Sequence, residues 1–210
     1  MMRYLSLIVL FFFISCVNKE DILLPKSDTT IVSDIEDHSP IYIFFRTNGK
    51  DTLAEVNRKN SIITTNWIFN IDKRLPLGIV IPEVMKMQDK KRKEKAHKNE
   101  KAENYYSYAD SIGKNMAFIP FTKVFYKMAK PLSGGLILNF KKNTESILID
   151  NLIMKTNEVV DYIYGINYAV NPKIILVFDK NMSFEEYLQI KILIKELDTF
   201  NKEMPQEFIF

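Results

Sequence analysis

The stretch IILVFDKNMSFEEYLQIKILIKEL, residues 174–197, decides the fold of the second half of the chain. Its first five residues are all apolar, which is typical of a strand buried on both faces. Ser183 and Glu186 follow at the spacing of a capping box, in which each side chain satisfies a backbone amide at a helix start. Apolar residues then recur at helical spacing, so the stretch predicts a central strand, a tight turn and an amphipathic helix.

The flanking segments extend this unit into a small domain, residues 135–210. Residues 136–140 and 147–149 have the pattern of strands, a helix is expected after Thr156, and residues 207–210 form a last strand. The predicted order is β-β-α-β-α-β. The predicted fold class is α+β, with one or two small mixed or antiparallel sheets covered by helices.

This order resembles the periplasmic domain of the ExbD/TolR family, whose recurring element is an apolar strand, Asp-Lys, a short aromatic-containing turn and an amphipathic helix. Asp179, Lys180, Phe184 and Tyr187 occupy the matching places. The resemblance implies an envelope-facing domain that binds a partner or a wall polymer. The family drives a proton motor through a membrane helix with an essential acidic residue. No Asp or Glu lies in the one long apolar segment here, so motor activity is not implied.

A second Asp-Lys pair, Asp72 and Lys73, also follows an apolar strand and precedes a predicted helix. It lies 107 residues before Asp179 and Lys180. The spacing predicts two copies of one α+β unit, the first within residues 40–128. The alternative is two independent strand-to-helix turns that share Asp-Lys, and a purely structural role is expected for Asp179.

The N-terminus, MMRYLSLIVLFFFISC, is typical of a signal peptide of residues 1–15. It has one charge, Arg3, and an apolar core too short to span a bilayer, which takes about 20 residues. A small residue, Ser15, before Cys16 resembles the bacterial lipoprotein box, which implies acylation of Cys16 (diacylglycerol and a fatty acid such as palmitate). The alternatives are an ordinary secretory signal and an uncleaved anchor.

The residues after Cys16 bear on location. Val17 stands where aspartate often retains a lipoprotein in the inner membrane, which favours the outer membrane. The run Lys19, Glu20 and Asp21 resembles the export tag of some surface lipoproteins, so either the periplasmic face or the cell surface is expected. Residues 16–39 are polar and are predicted to be a flexible tether.

Composition limits the partners. The formal net charge is +3, and removing residues 1–15 deletes one arginine and leaves +2. Nucleic acid is therefore not expected as a partner. Cys16 is the only cysteine, so no intrachain disulfide can form. The predicted partners are the membrane, through the lipid, and an envelope protein or wall polymer.

Three groups of side chains are candidates for binding. The first is basic and would attract anions, unless it is only a solvated helix end. The second is aromatic and would line a glycan or peptide groove, unless it only covers the core. The third, His97 and Glu100, shares a helix face and offers too few ligands for zinc. The first two groups are Lys90, Lys91, Arg92 and Lys93, and Tyr105, Tyr106 and Tyr108.

No nucleophile stands beside a base in the sequence, so no catalytic residue, metal or cofactor is predicted. The expected function is a non-catalytic envelope lipoprotein that binds a partner or wall polymer. The ExbD/TolR resemblance implies a role accessory to an envelope system of that type. The alternatives are a structural subunit of an outer-membrane assembly and an envelope hydrolase.

Overall fold

A computed structural model describes residues 21–95, 99–131, 134–149, 152–166, 172–199 and 206–210. Cys16, Lys19, Glu20 and His97 lie outside these ranges. The strands are β1 (Lys26–Ser27), β2 (His38–Asn48), β3 (Asp51–Asn57), β4 (Asn66–Ile71), β5 (Asn104–Asp110), β6 (Met116–Pro120), β7 (Phe125–Lys127), β8 (Leu136–Phe140), β9 (Ser146–Ile149), β10 (Leu152–Lys155), β11 (Ile174–Phe178) and β12 (Gln206–Ile209); the helices are α1 (Leu77–Lys93), α2 (Val159–Gly165) and α3 (Phe184–Leu193), with 3₁₀ turns at Thr156–Glu158 and Lys195–Thr199.

The first sheet has the strand order β3-β2-β4-β5-β6, with β1 beside the end of β5. Strands β2, β4 and β5 are parallel, and β3 and β6 pair antiparallel to their neighbours. Asn48 and Asp51 face each other at the hairpin between β2 and β3, where Gly49 adopts φ 62°. That left-handed conformation is one that glycine adopts without steric cost.

The second sheet has the order β10-β9-β8-β11-β12-β7. Strands β8, β11, β12 and β7 are parallel, and β9 and β10 continue the sheet antiparallel. The described residues thus form an α+β fold with two mixed sheets, as predicted. Two details differ from the predicted order, because β10 is an additional strand and β7, from the predicted first domain, pairs in the second sheet.

One apolar core runs through both halves. Helix α3 lies between the inner faces of the two sheets, because the Tyr187 ring contacts Phe178 of β11 and Tyr106 of β5 edge-on, at 4.9 and 6.4 Å between ring centroids. Ser183 caps the helix as predicted, by accepting a hydrogen bond from Glu186 N. Packing on α3 therefore links the two sheets.

The predicted tether of residues 16–39 differs from the structure, in which residues 25–39 lie on the first sheet. Pro25 O accepts a hydrogen bond from Ala109 N of β5, and Val32 N bonds to Phe118 O of β6. Ile35 is buried in a small apolar cluster on the same sheet. The polar composition of this segment predicts a tether, but its few apolar residues are spaced to cover the sheet. Its backbone groups pair with open strand edges.

Candidate functional site

A cleft of about 690 Å³ lies between the β8–β9 connection, the first turn after β10 and helix α3. Its rim carries charged and hydrogen-bonding side chains, and its floor is partly apolar. The residues that line it include Lys141, Asn143, Lys155, Gln189, Ile190 and Leu193.

The topology of the second sheet creates this cleft. After β8 the chain turns to β9 on one side of the sheet, whereas after β11 it passes through α3 to β12 on the other side. Two parallel neighbours whose connections leave in opposite directions leave a crevice at their carboxyl ends, the usual ligand position in open α/β sheets. The loop after β8 and the length of α3 from Glu186 to Leu193 form its walls.

Glu186 closes the inner end of the cleft. Its Oε1 accepts a 2.7 Å hydrogen bond from Asn143 N, and its Oε2 accepts bonds from Ser183 N and Oγ. Burial raises the pKa of Glu186, but these hydrogen bonds and the charge of Lys142 outweigh burial and hold the pKa below its usual value. Both oxygens of the Glu186 carboxylate are therefore occupied by hydrogen bonds to the α3 cap and to the β8–β9 loop.

The rim offers cations instead. Within the described residues neither Lys141 nor Lys155 forms an ion pair, and both line the cleft. Asn143 and Gln189 add amide groups, and Leu193 exposes 43% of its surface beside them. Such a surface can hold an extended ligand that combines carboxylates and amides with short apolar groups.

A smaller cleft of about 480 Å³ occupies the corresponding place in the first half, between the β2–β3 hairpin and α1. Ile79 and Glu83 line it, and they precede Glu186 and Ile190 of the larger cleft by 107 residues. Its charges are already paired, since Arg46 contacts Glu55 and Lys86 contacts Glu83, each at 2.6 Å. Among the described residues, lysines without an ion pair thus line the second-half cleft and not the first-half one.

The two Asp-Lys turns contact each other directly. Leu77 N donates to Met182 O and Phe184 N donates to Leu75 O, at 2.9 and 2.8 Å. Gly78 N donates to Lys180 O and Glu185 N to Lys73 O, at 2.7 and 3.1 Å. In each pair, adding 107 to the residue number in the first half and subtracting 107 from the one in the second half converts one hydrogen bond into the other. The contact is therefore reciprocal, as across a two-fold axis.

Inside each turn the aspartate has the same backbone role. Asp72 Oδ1 accepts from Arg74 N at 3.1 Å, and Asp179 Oδ1 accepts from Asn181 N at 2.8 Å. Asp72 also binds the Arg74 guanidinium through both oxygens. Burial raises the pKa of Asp72, but the Arg74 hydrogen bonds and charge outweigh it and lower the pKa overall.

The basic group at the end of α1 does not form one surface. Lys90 and Lys93 are exposed, whereas Lys91 is buried and Arg92 is half-buried. Arg92 donates to Thr122 O and Val124 O. Lys91 Nζ donates to Thr65 O, Glu103 O and Asn104 Oδ1 and lies 4.9 Å from the centre of the Trp67 ring. Only the two outer lysines are available to an anion.

Lys91 gives a testable pH dependence. Burial lowers its pKa to about 8, although Glu103 acts in the opposite direction. Between this value and the ordinary 10.5 the unfolded chain holds a proton that the folded chain has lost, so stability rises with pH there. We expect the free energy of unfolding, taken relative to Lys91→Met, to increase by about 1.5 kcal/mol from pH 8 to 9.5. Urea titrations at both pH values measure it, and a pH-independent difference would contradict it.

The three tyrosines of the aromatic group do not share one surface either. Tyr108 is buried and bonds to Thr29 O, Tyr105 is half-buried with its hydroxyl on Glu103, and Tyr106 is buried in the shared core. They cover the core and the N-terminal segment and do not line a common groove. Burial in the core raises the pKa of Tyr106 well above its ordinary value.

Tyr106 begins a buried chain of polar groups between the halves. Its hydroxyl lies 2.8 Å from that of Tyr126, which lies 3.1 Å from that of Tyr187. Tyr187 donates to Glu207 Oε2 at 2.7 Å, and Lys191 Nζ lies 2.7 Å from Glu207 Oε1. The chain contains groups from β5, β7, α3 and β12, which makes it a polar link through an apolar core.

Sequence reasoning missed the residues of the cleft. Lys141, Asn143, Lys155 and Gln189 come together only because two loops and a helix meet at one sheet edge, and no local motif marks them. Within the described ranges no group of three or more His, Cys, Asp or Glu side chains is placed to hold a metal ion. Nor does any helix there have the length and apolarity to cross a membrane.

Comparisons with protein-family models, curated proteins and solved structures gave no match to this chain.

Proposed function

We propose that this chain is a non-catalytic lipoprotein of the bacterial cell envelope whose folded body binds a carboxylate-bearing wall polymer in the cleft beside α3. The observation that carries the proposal is that one cleft combines Lys141 and Lys155, which form no ion pair with any residue that the structure describes, with amide groups and an exposed apolar side chain. Wall polymers combine carboxylates, amides and short apolar groups, which this lining would match.

The anchor rests on the sequence around Cys16. Each methylene of a buried acyl chain contributes about 0.8 kcal/mol to membrane binding. A terminus with several acyl chains therefore stays in its leaflet, whereas a protein with a single acyl chain dissociates and rebinds. We place the protein in the outer membrane, on its periplasmic face or at the cell surface. Mass spectrometry of the mature N-terminus tests this, with Cys16 as an acylated first residue as the expected result.

The cleft has a direct test. Changing Lys141→Gln together with Lys155→Gln is expected to weaken binding of soluble wall fragments at least tenfold, because two charge-assisted hydrogen bonds are lost and tenfold corresponds to about 1.4 kcal/mol. Isothermal titration at low and at moderate salt measures the effect. Binding to the unmodified protein should itself fall with salt, because these lysines are at the surface.

The matched control is Lys90→Gln with Lys93→Gln, which removes two exposed lysines elsewhere at the same cost in net charge. This variant should bind like the unmodified protein. Equal losses in both double variants would mean that only overall charge matters, and the cleft would then have no special role.

A protein partner is the second candidate, and a specific surface favours it. Strand β10 lies at the edge of the second sheet, with Leu152 and Ile153 exposed to 45% and 71%. Tyr164 of the neighbouring α2 is also half exposed. Open apolar edges accept a further strand from another chain. Such a role would suit a structural subunit of an outer-membrane assembly.

We further propose that the halves are two copies of one unit. Both contain a hairpin, a parallel strand, an Asp-Lys turn, a helix and another parallel strand, in the orders β3-β2-β4-β5 and β9-β8-β11-β12. The reciprocal hydrogen bonds support this. With the ExbD/TolR resemblance, we infer a body fused from two such units and accessory to an envelope system of that type.

A further inference from the structure

The first described residues of the chain, from residue 21, contact the folded body at the first Asp-Lys turn. Lys73 N donates a 2.8 Å hydrogen bond to Leu23 O. The second turn repeats this contact, since Lys180 N donates to Phe210 O at 3.1 Å. Leu23 and Phe210 thus occupy equivalent places in the two halves, and they expose 46% and 58% of their surfaces.

Each of the two turns also presents a basic side chain at the surface, Arg74 in the first turn and Lys180 in the second. The Arg74 side chain is 47% exposed, whereas its partner Asp72 is 1% exposed. Lys180 is exposed next to the half-buried Asp179. Because the two turns are hydrogen-bonded to each other, these groups form one continuous surface, which we name the turn face: Leu23, Arg74, Lys180, Asn181 and Phe210.

The distance from Cys16 to this face is limited by the sequence. The seven steps from Cys16 to Leu23 span at most about 25 Å when fully extended. A folded body of this length has a radius of gyration of about 16 Å, which for a compact sphere corresponds to a diameter of about 40 Å, so the body is wider than this reach. An anchor of this length, attached at Leu23, holds the surface around Leu23 close to the bilayer.

We propose that the turn face lies against the phospholipid headgroups, with Leu23 and Phe210 at the boundary of the acyl chains. This inference rests on the proposed acylation of Cys16. Aromatic and aliphatic side chains beside cations are a composition that membrane interfaces favour. Since Arg74 is already paired with Asp72, the lipid supplies the affinity and the turn face sets the orientation.

The experiment uses the full-length chain, expressed with its own leader and reconstituted in phosphatidylethanolamine/phosphatidylglycerol vesicles. An acylated Cys16 has no free thiol, so a single introduced cysteine can carry a fluorophore. Asn181→Cys reports on the turn face. Lys93→Cys is the control, because α1 begins beside the turns at Leu77 and sixteen residues of helix at about 1.5 Å each place Lys93 about 24 Å away.

We expect a headgroup quencher in the vesicles to reduce the Asn181→Cys signal at least threefold more than the Lys93→Cys signal. Equal quenching, or stronger quenching at Lys93, would overturn the orientation. Failure of the anchor is seen separately, because the unsubstituted chain would then take up the fluorophore at Cys16. Circular dichroism of both variants confirms that these exposed substitutions leave the fold intact.

Discussion

Replacing Glu207 with alanine is expected to lower the free energy of unfolding by about 3–5 kcal/mol, because the substitution breaks a buried ion pair. Glu207 is fully buried, and its carboxylate contacts Lys191 Nζ and the Tyr187 hydroxyl. Removing it leaves an ammonium without its carboxylate in the core and a hydroxyl without its acceptor. Chemical denaturation at neutral pH measures the loss.

Two further variants separate this pair from an ordinary ion pair. Glu207→Gln combined with Lys191→Met removes both charges and should recover most of the lost stability, because no uncompensated charge remains. Glu55→Ala breaks the exposed pair with Arg46 and should cost less than about 1 kcal/mol. If Glu207→Ala cost no more than Glu55→Ala, the buried pair would contribute nothing special.

Replacing Phe184 with alanine is expected to cost about 3–5 kcal/mol and to destabilise both halves together. Phe184 belongs to the second half, yet its ring lies 5.1 Å from that of Tyr106 in the first sheet. Trp67, the only tryptophan, is buried in the first half. Its fluorescence should therefore report an earlier unfolding midpoint although the substitution is in the other half.

The control for this prediction is Ile153→Ala in the same half, at a side chain that is 71% exposed. It should shift the Trp67 midpoint little. For the Phe184→Ala and Ile153→Ala variants alike, the unfolding midpoint from Trp67 fluorescence should equal the midpoint from far-ultraviolet circular dichroism, because one core contacts both sheets. A Trp67 midpoint unchanged by Phe184→Ala would mean that the halves unfold independently.

The parts of the fold that the sequence predicted are those encoded locally. Strand β11 is apolar throughout because both its faces are covered, and the Ser183–Glu186 box begins α3 where the spacing placed it. These features need no information from distant residues. The α+β class follows from them, since such strands need helices to cover them.

What was missed depends on distant partners. The run of tyrosines in β5 predicts either a groove or a cover for the core, but it does not predict a strand in the middle of a sheet, because pairing with β4 and β6 depends on distant residues. The sequence predicts Lys91 in solvent, but its ammonium is bound in the interior by Thr65 O, before β4, and by Glu103 O and Asn104 Oδ1, at the start of β5. The Asp-Lys spacing was visible, whereas the reciprocal hydrogen bonds between the turns required the three-dimensional structure.

The position of β12 has a consequence for biosynthesis. This strand is synthesised after every other strand of the described residues, yet it lies between β11 and β7 and brings Glu207 into the core. A nascent chain that ends before residue 206 cannot join β7 to the rest of the second sheet. For a protein that we propose is exported, this arrangement postpones completion of the second sheet until residues 206–209 have been made, so the preceding polypeptide stays in a form that can pass through a translocation channel.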